Sequence, residues 1–225
     1  MTRWHDKTVL FDLDGTLIDT APDLHASLCY AFDKEGLAAV DLPTVRSAIG
    51  HGARAMIQQS ADQSSTALST ALLDQLHQHF LDYYVEHIAD HSKPFDGIIE
   101  TLDVLKERQA KIAVCTNKTQ ILAERLLGDI SMADYFDVIV GADRASEKKP
   151  SAKHIIETVE LANGRIDDAV MIGDSSTDAK AAAASSVPFI YMTYGYPDAV
   201  LGDMNIPHKL DTARNILAVL EDIFS

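Results

Sequence analysis

The chain reads as an α/β protein, a doubly wound parallel sheet interrupted after its first strand by a block of helices. Three observations predict this. Five short apolar runs recur along the chain and are continuous rather than alternating, as in strands covered on both faces. Amphipathic stretches separate them, and strand–helix alternation of that kind winds into a parallel sheet. One interval, from Asp19 to Ser92, contains no strand-like run at all.

The five runs are residues 8–11, 112–115, 138–140, 169–172 and 188–191. The interval after the first reads as helices: one over 22–34, one from Pro43, and one through 68–88. Pro22 and Pro43 sit where helix starts tolerate proline, and Gly36 and Gly50 are suited to helix ends. Residues 93–97, Lys-Pro-Phe-Asp-Gly, carry a linker signal. Ile98, Leu102 and Leu105 fall at helical spacing, as do Ile155 with Val159 and Ile216 with Leu220 and Ile223. The small residues of 179–186 predict a helix packed closely on the sheet. The expected division is a core of residues 1–18 and 93–225 and an α-helical domain of residues 19–92.

Composition narrows the function. Of 225 residues, 47% are hydrophobic and 24% charged, which excludes disorder and fibrous repeats. There are 34 Asp and Glu against 19 Lys and Arg, a net charge of -15, and such a field repels nucleic-acid phosphates and anionic lipid. No nucleic-acid partner and no membrane are expected. No apolar stretch is long enough to span a bilayer, and the polar start, residues 1–7, predicts no secretory signal. Cys29 and Cys115 lie far apart and read as buried free thiols of a reducing compartment, so a cytoplasmic protein is expected, as a monomer or homodimer.

In doubly wound folds ligands bind beyond the carboxyl ends of the strands. Asp12 and Asp14 follow the first run, Thr116, Asn117 and Lys118 the second, and Gly173, Asp174 and Asp178 the fourth, with Lys148-Lys149-Pro150 between the third and fourth. Taken singly, an Asp at a strand end is a helix cap and a Lys before Pro a solvated charge. Four carboxylates gathered at one edge repel unless a cation sits among them. Oxygen ligands select a hard cation, of which Mg²⁺ suits a site that also takes waters and a phosphate. A lysine and a threonine beside helix N–H groups add an anion cradle. Carboxylates, metal and anion cradle together describe phosphoryl transfer.

Asp12-Leu13-Asp14-Gly15-Thr16 resembles the DxDGT signature of the haloacid dehalogenase superfamily, and Thr116, Lys149 and Asp174 through Asp178 match its second, third and fourth motifs in order. The run from Asp14 to Leu24, Thr116-Asn117-Lys118 and Tyr194-Gly195-Tyr196 further resemble its phosphoglycolate phosphatase branch. The resemblance covers nearly the whole chain. It implies a Rossmann-like core with an inserted helical cap, and a Mg²⁺-dependent phosphomonoesterase acting on a small phosphorylated metabolite. It implies Asp12 as nucleophile forming an aspartyl-phosphate, Asp14 as general acid and then base, Thr116 as donor to the phosphoryl group, and Lys149 as charge neutraliser. It implies a metal held by Asp12, the main-chain oxygen of Asp14, Asp174 and Asp178, and backbone N–H groups of Leu13 and Asn117 completing the phosphate cradle. One departure is Ala152, where the family often has a second proline after Lys-Pro.

Gly50-His51-Gly52-Ala53-Arg54-Ala55 matches a dinucleotide-binding pattern but follows no strand, so it reads as a cap loop facing the site, with His51 or Arg54 meeting a carboxylate at the substrate's distal end. His87 and His91 read as one helix face at i, i+4; without a third ligand this is a solvated face rather than a zinc site. Among relatives of the same fold, a dehalogenase would lack Asp14, and a phosphonate-cleaving enzyme would need a cap lysine where only Lys34 stands. A sugar-phosphate mutase of the β-phosphoglucomutase type, with Arg46 or Arg54 holding a second phosphate, stays open as an alternative. A catalytically silent binding or regulatory protein of the same fold finds no support, since every catalytic position is filled.

Overall fold

The computed structural model describes residues 4–196, 198–202 and 204–225; residues 1–3, 197 and 203, which fall within the predicted core, lie outside the described residues. In chain order the elements are β1 (Thr8–Phe11), β2 (Ile18–Asp19), α1 (Ala21–Lys34), α2 (Leu42–Arg46), α3 (Ala53–Gln63), α4 (Thr70–Glu86) and β3 (Lys93–Pro94). There follow α5 (Ile98–Glu107), β4 (Lys111–Cys115), α6 (Gln120–Asp129), β5 (Val138–Val140), α7 (Ala152–Leu161), β6 (Ala169–Gly173) and α8 (Ser176–Ala184). The chain closes with β7 (Phe189–Met192), α9 (Ala199–Gly202), β8 (His208–Leu210) and α10 (Ile216–Ile223).

The main sheet runs β5-β4-β1-β6-β7-β8, with every pair parallel. Successive residues of the central strands alternate between two cores, because strand side chains point to opposite faces. Val9, Phe11, Ile112, Val114, Val170 and Ile172 join one cluster with Leu102 of α5, Leu126 of α6 and Leu220 of α10. Leu10, Ala113, Cys115 and Met171 join the other, with Ile155 and Val159 of α7 and Ala181 and Ala182 of α8. Burial on both faces is why these strands read as continuous apolar runs. In register, Thr8 lies between Lys111 and Ala169, and Phe11 between Val114 and Ile172. The ends of β1, β4 and β6 are therefore level, and whatever follows them shares one edge.

The helical block leaves and returns through a two-stranded antiparallel ribbon, in which Ile18 pairs with Pro94 and Asp19 with Lys93. Asp23, buried in the first turn of α1, accepts hydrogen bonds from the N–H groups of His91 and Ser92 and from the Ser92 hydroxyl. One carboxylate thus fastens the outgoing helix to the returning chain. Helices α1 and α4 pack through Tyr30 stacked on Tyr83 at 4.6 Å between ring centroids. Leu76, Phe80 and Tyr84 form the buried stripe of α4, each one helical turn apart.

Several local expectations change. Residues 93–97 include strand β3 rather than linker alone. Helix α3 begins at Ala53, directly after Gly52 at φ 94°, in a stretch that reads as loop because Gln and Ser dilute its apolar spacing. Strand β8, His-Lys-Leu, is short and half-exposed at the sheet edge, so it carries no apolar run. Helix α4 ends at Glu86, so His87 and His91 do not share a helix face; His87 lies 2.8 Å from Asp90 instead. Cys115 is buried as expected, whereas Cys29 is only partly so. Among the described residues no helix is long and apolar enough to cross a membrane.

Candidate active site

The chain leaves β1 at Phe11, and the Asp12 N–H donates to the Ile172 carbonyl at 2.9 Å, carrying the ladder one residue past the strand. This turns the Asp12 side chain into a buried nest of acids. Ligating oxygens of Asp12, Asp174 and Asp178 all lie within 4.8 Å of one another. Lys149 is the cation among them: its Nζ lies 2.9 Å from Asp12 Oδ1 and 2.6 Å from Asp178 Oδ1, and donates to the Cys115 carbonyl at 2.5 Å. These two carboxylate contacts are charge pairs rather than aligned hydrogen bonds, and among the described residues both oxygens otherwise lack a hydrogen-bond partner. Burial works against the ammonium, but Asp12 and Asp178 outweigh it and hold Lys149 above its ordinary range.

Each acid is fixed differently. Asp174 accepts from the Thr16 hydroxyl at 2.7 Å and from the Tyr196 N–H at 2.8 Å. Gly15, at φ 88°, wraps so closely that a Cβ there would stand 2.2 Å from Asp174 Oδ2. A side chain is excluded both by that approach and by the left-handed backbone. Asp178 Oδ2 accepts from the Ser175 N–H and hydroxyl in a capping box at the start of α8, leaving Oδ1 turned to Lys149. Asp14 accepts from the Thr20 hydroxyl at 2.7 Å and from Lys118 Nζ at 2.9 and 3.0 Å.

Burial, then the neighbouring charge of Asp178, pushes Asp12 up to about 7 against the pull of Lys149. Burial raises Asp174 well above the usual carboxylate range, with Asp12 and Asp178 adding to it. Behind the site, His154 accepts the Lys149 N–H at Nδ1 (3.2 Å) and donates from Nε2 to the Val140 carbonyl (3.1 Å). Burial, reinforced by Lys149, lowers this imidazole to about 4, so it is neutral and its two partners fix its tautomer. On the β4 side, Thr116 is buried, and its hydroxyl accepts from the Lys118 N–H at 3.1 Å. Asn117 Nδ2 donates to both the Gly50 and the Lys149 carbonyls at 3.1 Å, bridging the helical block to the core. Leu13 keeps its side chain in the core, so only its backbone is offered to the site.

A model of the haloacid dehalogenase-like hydrolase family matches residues 9–192. The chain belongs to that family. A phosphoglycolate phosphatase of Agrobacterium fabrum is 41% identical over 195 residues, covering 87% of this chain and 84% of the relative. Another from Caulobacter vibrioides is 38% identical over 227 residues, covering 98% and 96%. The crystal structure of a predicted phosphoglycolate phosphatase from Haemophilus somnus superposes with a TM-score of 0.86 at 25% identity, covering 96% and 98% of the two chains. With relatives this similar along its length, the protein is a phosphatase of the haloacid dehalogenase-like hydrolases.

The donor set of this hydrolase fits a divalent cation. Asp12 and Asp178 share the ammonium of Lys149, while Asp174 has no cation in contact among the described residues, so the three carboxylates, when ionised, carry more negative charge than one ammonium offsets. Oxygen-only donors of that charge suit a hard divalent ion, and uncompensated buried charge is costly otherwise.

Beside the acids opens a cavity of about 670 Å³ between core and helical block, lined by Asp14, Thr116, Lys118 and Ile121 from one side and Phe80 and Tyr84 from the other. A second, of about 780 Å³, lies on the Asp174 side, and Asp14, Gly50 and His51 border both. The sequence-predicted residues therefore fall in two groups. Asp12, Thr116, Lys149, Asp174 and Asp178 are buried together, with Asp14 facing the cavity. His51 and Arg54 stand on the wall of the cavity opposite the core, and Arg54 is engaged by Asp74 of α4. Sequence reasoning gave no role to Lys118, Tyr84 or His154. Lys118 lay within a motif resemblance; Tyr84 of α4 and His154 of α7 belong to no motif, and only packing singles them out.

Proposed function

We propose that this phosphatase hydrolyses 2-phosphoglycolate with Mg²⁺, through an aspartyl-phosphate on Asp12. The observation that carries the reading is the pairing of Asp12 with Lys149 inside the buried acidic cluster, in a chain whose relatives, 38–41% identical, are phosphoglycolate phosphatases. Residues 19–92 serve as a cap over a core of residues 1–18 and 93–225. The free thiols of Cys29 and Cys115 support a reducing compartment, the cytoplasm.

Asp12, Asp174, Asp178 and the main-chain oxygen of Asp14 would hold Mg²⁺, which when bound offsets charge on the phosphate and the attacking carboxylate. Lys149 holds one oxygen of Asp12 and leaves the other to attack phosphorus, forming the Asp12–phosphorus bond as the ester oxygen departs. Asp14 lies at the cavity wall and delivers a proton to that oxygen. The same carboxylate then takes a proton from water, which attacks the phosphorus of the intermediate, releasing phosphate and restoring Asp12. The Thr116 hydroxyl and the N–H groups of Leu13 and Asn117 receive the phosphoryl oxygens. His51 and Arg54 face the leaving-group side from the cap.

Phosphate release from a panel of phosphorylated metabolites, with Mg²⁺ and with chelator, tests this. Phosphoglycolate should lead the panel and chelator should silence the reaction. A hexose phosphate preferred over phosphoglycolate, or turnover indifferent to chelator, refutes the respective part.

A further inference from the structure

We propose that Lys118 and Tyr84 form the receptor for the substrate's distal carboxylate, an inference that rests on the phosphoglycolate reading above. The chemistry of the leaving group limits where such a receptor can stand. In a two-carbon ester the carboxylate carbon is two bonds from the ester oxygen, so its oxygens lie within about 4 Å of it. Asp14, to protonate that oxygen, must approach it within about 3 Å. The cation that reads the carboxylate therefore stands within about 10 Å of Asp14, and one in contact with Asp14 is best placed.

Lys118 meets this condition. Its Nζ lies 2.9 and 3.0 Å from the two oxygens of Asp14, and its side chain forms part of the cavity wall. Arg54, across the cavity, is already engaged by Asp74 at an exposed position. Tyr84 supplies the second half of the receptor. It reaches down from α4 to line the same cavity, and its ring centroid lies 4.9 Å from the Lys118 ammonium. The residue is only 1% exposed, and its hydroxyl, with the Lys118 ammonium as polar neighbour, makes no aligned hydrogen bond among the described residues and finds no acceptor for its proton. A buried, unmade hydrogen bond is costly, and a carboxylate oxygen would satisfy it. Burial pushes the Tyr84 phenol up to about 12, so it remains a donor at neutral pH. One carboxylate oxygen on the ammonium and one on the phenol uses both groups. One lies on the core and the other on the cap, so a carboxylate-bearing substrate also joins the two halves of the cleft.

The test compares kcat/KM for 2-phosphoglycolate with that for ethyl phosphate, the same two-carbon ester without the carboxylate, in Mg²⁺-loaded enzyme. The wild type should prefer phosphoglycolate. Lys118→Met should lower both rates, since Asp14 loses its partner, and should cut the preference itself by about 30-fold or more. Tyr84→Phe, which touches neither Asp14 nor the acidic cluster, should cut the preference by about 5- to 10-fold. A preference retained in either variant overturns that residue's assignment while leaving the substrate reading intact. A wild type without the preference overturns the substrate reading, and the receptor with it. Should Lys118→Met fail to fold, Lys118→Gln gives the same comparison.

Discussion

The hydroxyl of Tyr196 accepts the backbone N–H of Thr20 at 2.7 Å and that of Ala21 at 2.8 Å, capping α1 from the far end of the sequence. Thr20 occupies the N-cap position, but its own side chain makes no cap and donates to Asp14 instead. The same Tyr196 holds Asp174 through its backbone N–H. One residue thereby joins the crossing into the helical block to the acidic cluster.

Removing that hydroxyl should therefore be felt in stability. Tyr196→Phe leaves the ring in place and strands two buried N–H groups, at a cost of about 1–2 kcal/mol. Urea unfolding of the two proteins measures it, and coincident midpoints would show that the cap contributes nothing.

Asp12→Asn keeps the shape of the side chain but removes its charge and nucleophilicity. Turnover should fall by at least about 10³-fold with the far-ultraviolet spectrum unchanged. Residual activity of more than a few per cent would assign the nucleophile elsewhere.

Binding of a divalent ion to the folded state alone must stabilise it. With Mg²⁺ at about 100 times its Kd, the gain is about 2.7 kcal/mol and the melting temperature should rise by roughly 5–10 °C. Asp174→Asn should abolish most of that shift, in an assay independent of catalysis. Equal shifts in both proteins would remove Asp174 from the ligand set.

His154 predicts a pH dependence of stability. Burial lowers its folded-state pKa to about 4, below the ordinary 6.5, so the unfolded chain binds the proton more readily. Its contribution is present above pH 6.5 and is lost as pH falls through 4, a loss on the order of 3 kcal/mol. His154→Gln can keep both hydrogen bonds without titrating. The acidic cluster is common to both proteins, so the difference between their stability–pH curves isolates His154. Curves that stay parallel from pH 8 to 4 would show that it does not titrate as proposed.

The sequence by itself determined the doubly wound sheet, because strands buried on both faces must be apolar throughout, and this pattern is local. It also determined which acids gather, since Asp12 and Asp174 follow adjacent parallel strands whose register makes their ends level. It left β8 and α3 unseen, where edge exposure and diluted apolar spacing erase the signal. Only the tertiary structure decided that Lys118 grips Asp14, that Tyr84 faces the cavity from another layer, and that Tyr196 caps a helix 176 residues away from it in sequence. Those relationships depend on where helices of separate layers come to rest on one another. Packing fixes that through many weak contacts spread along the chain, and no short run of residues encodes it.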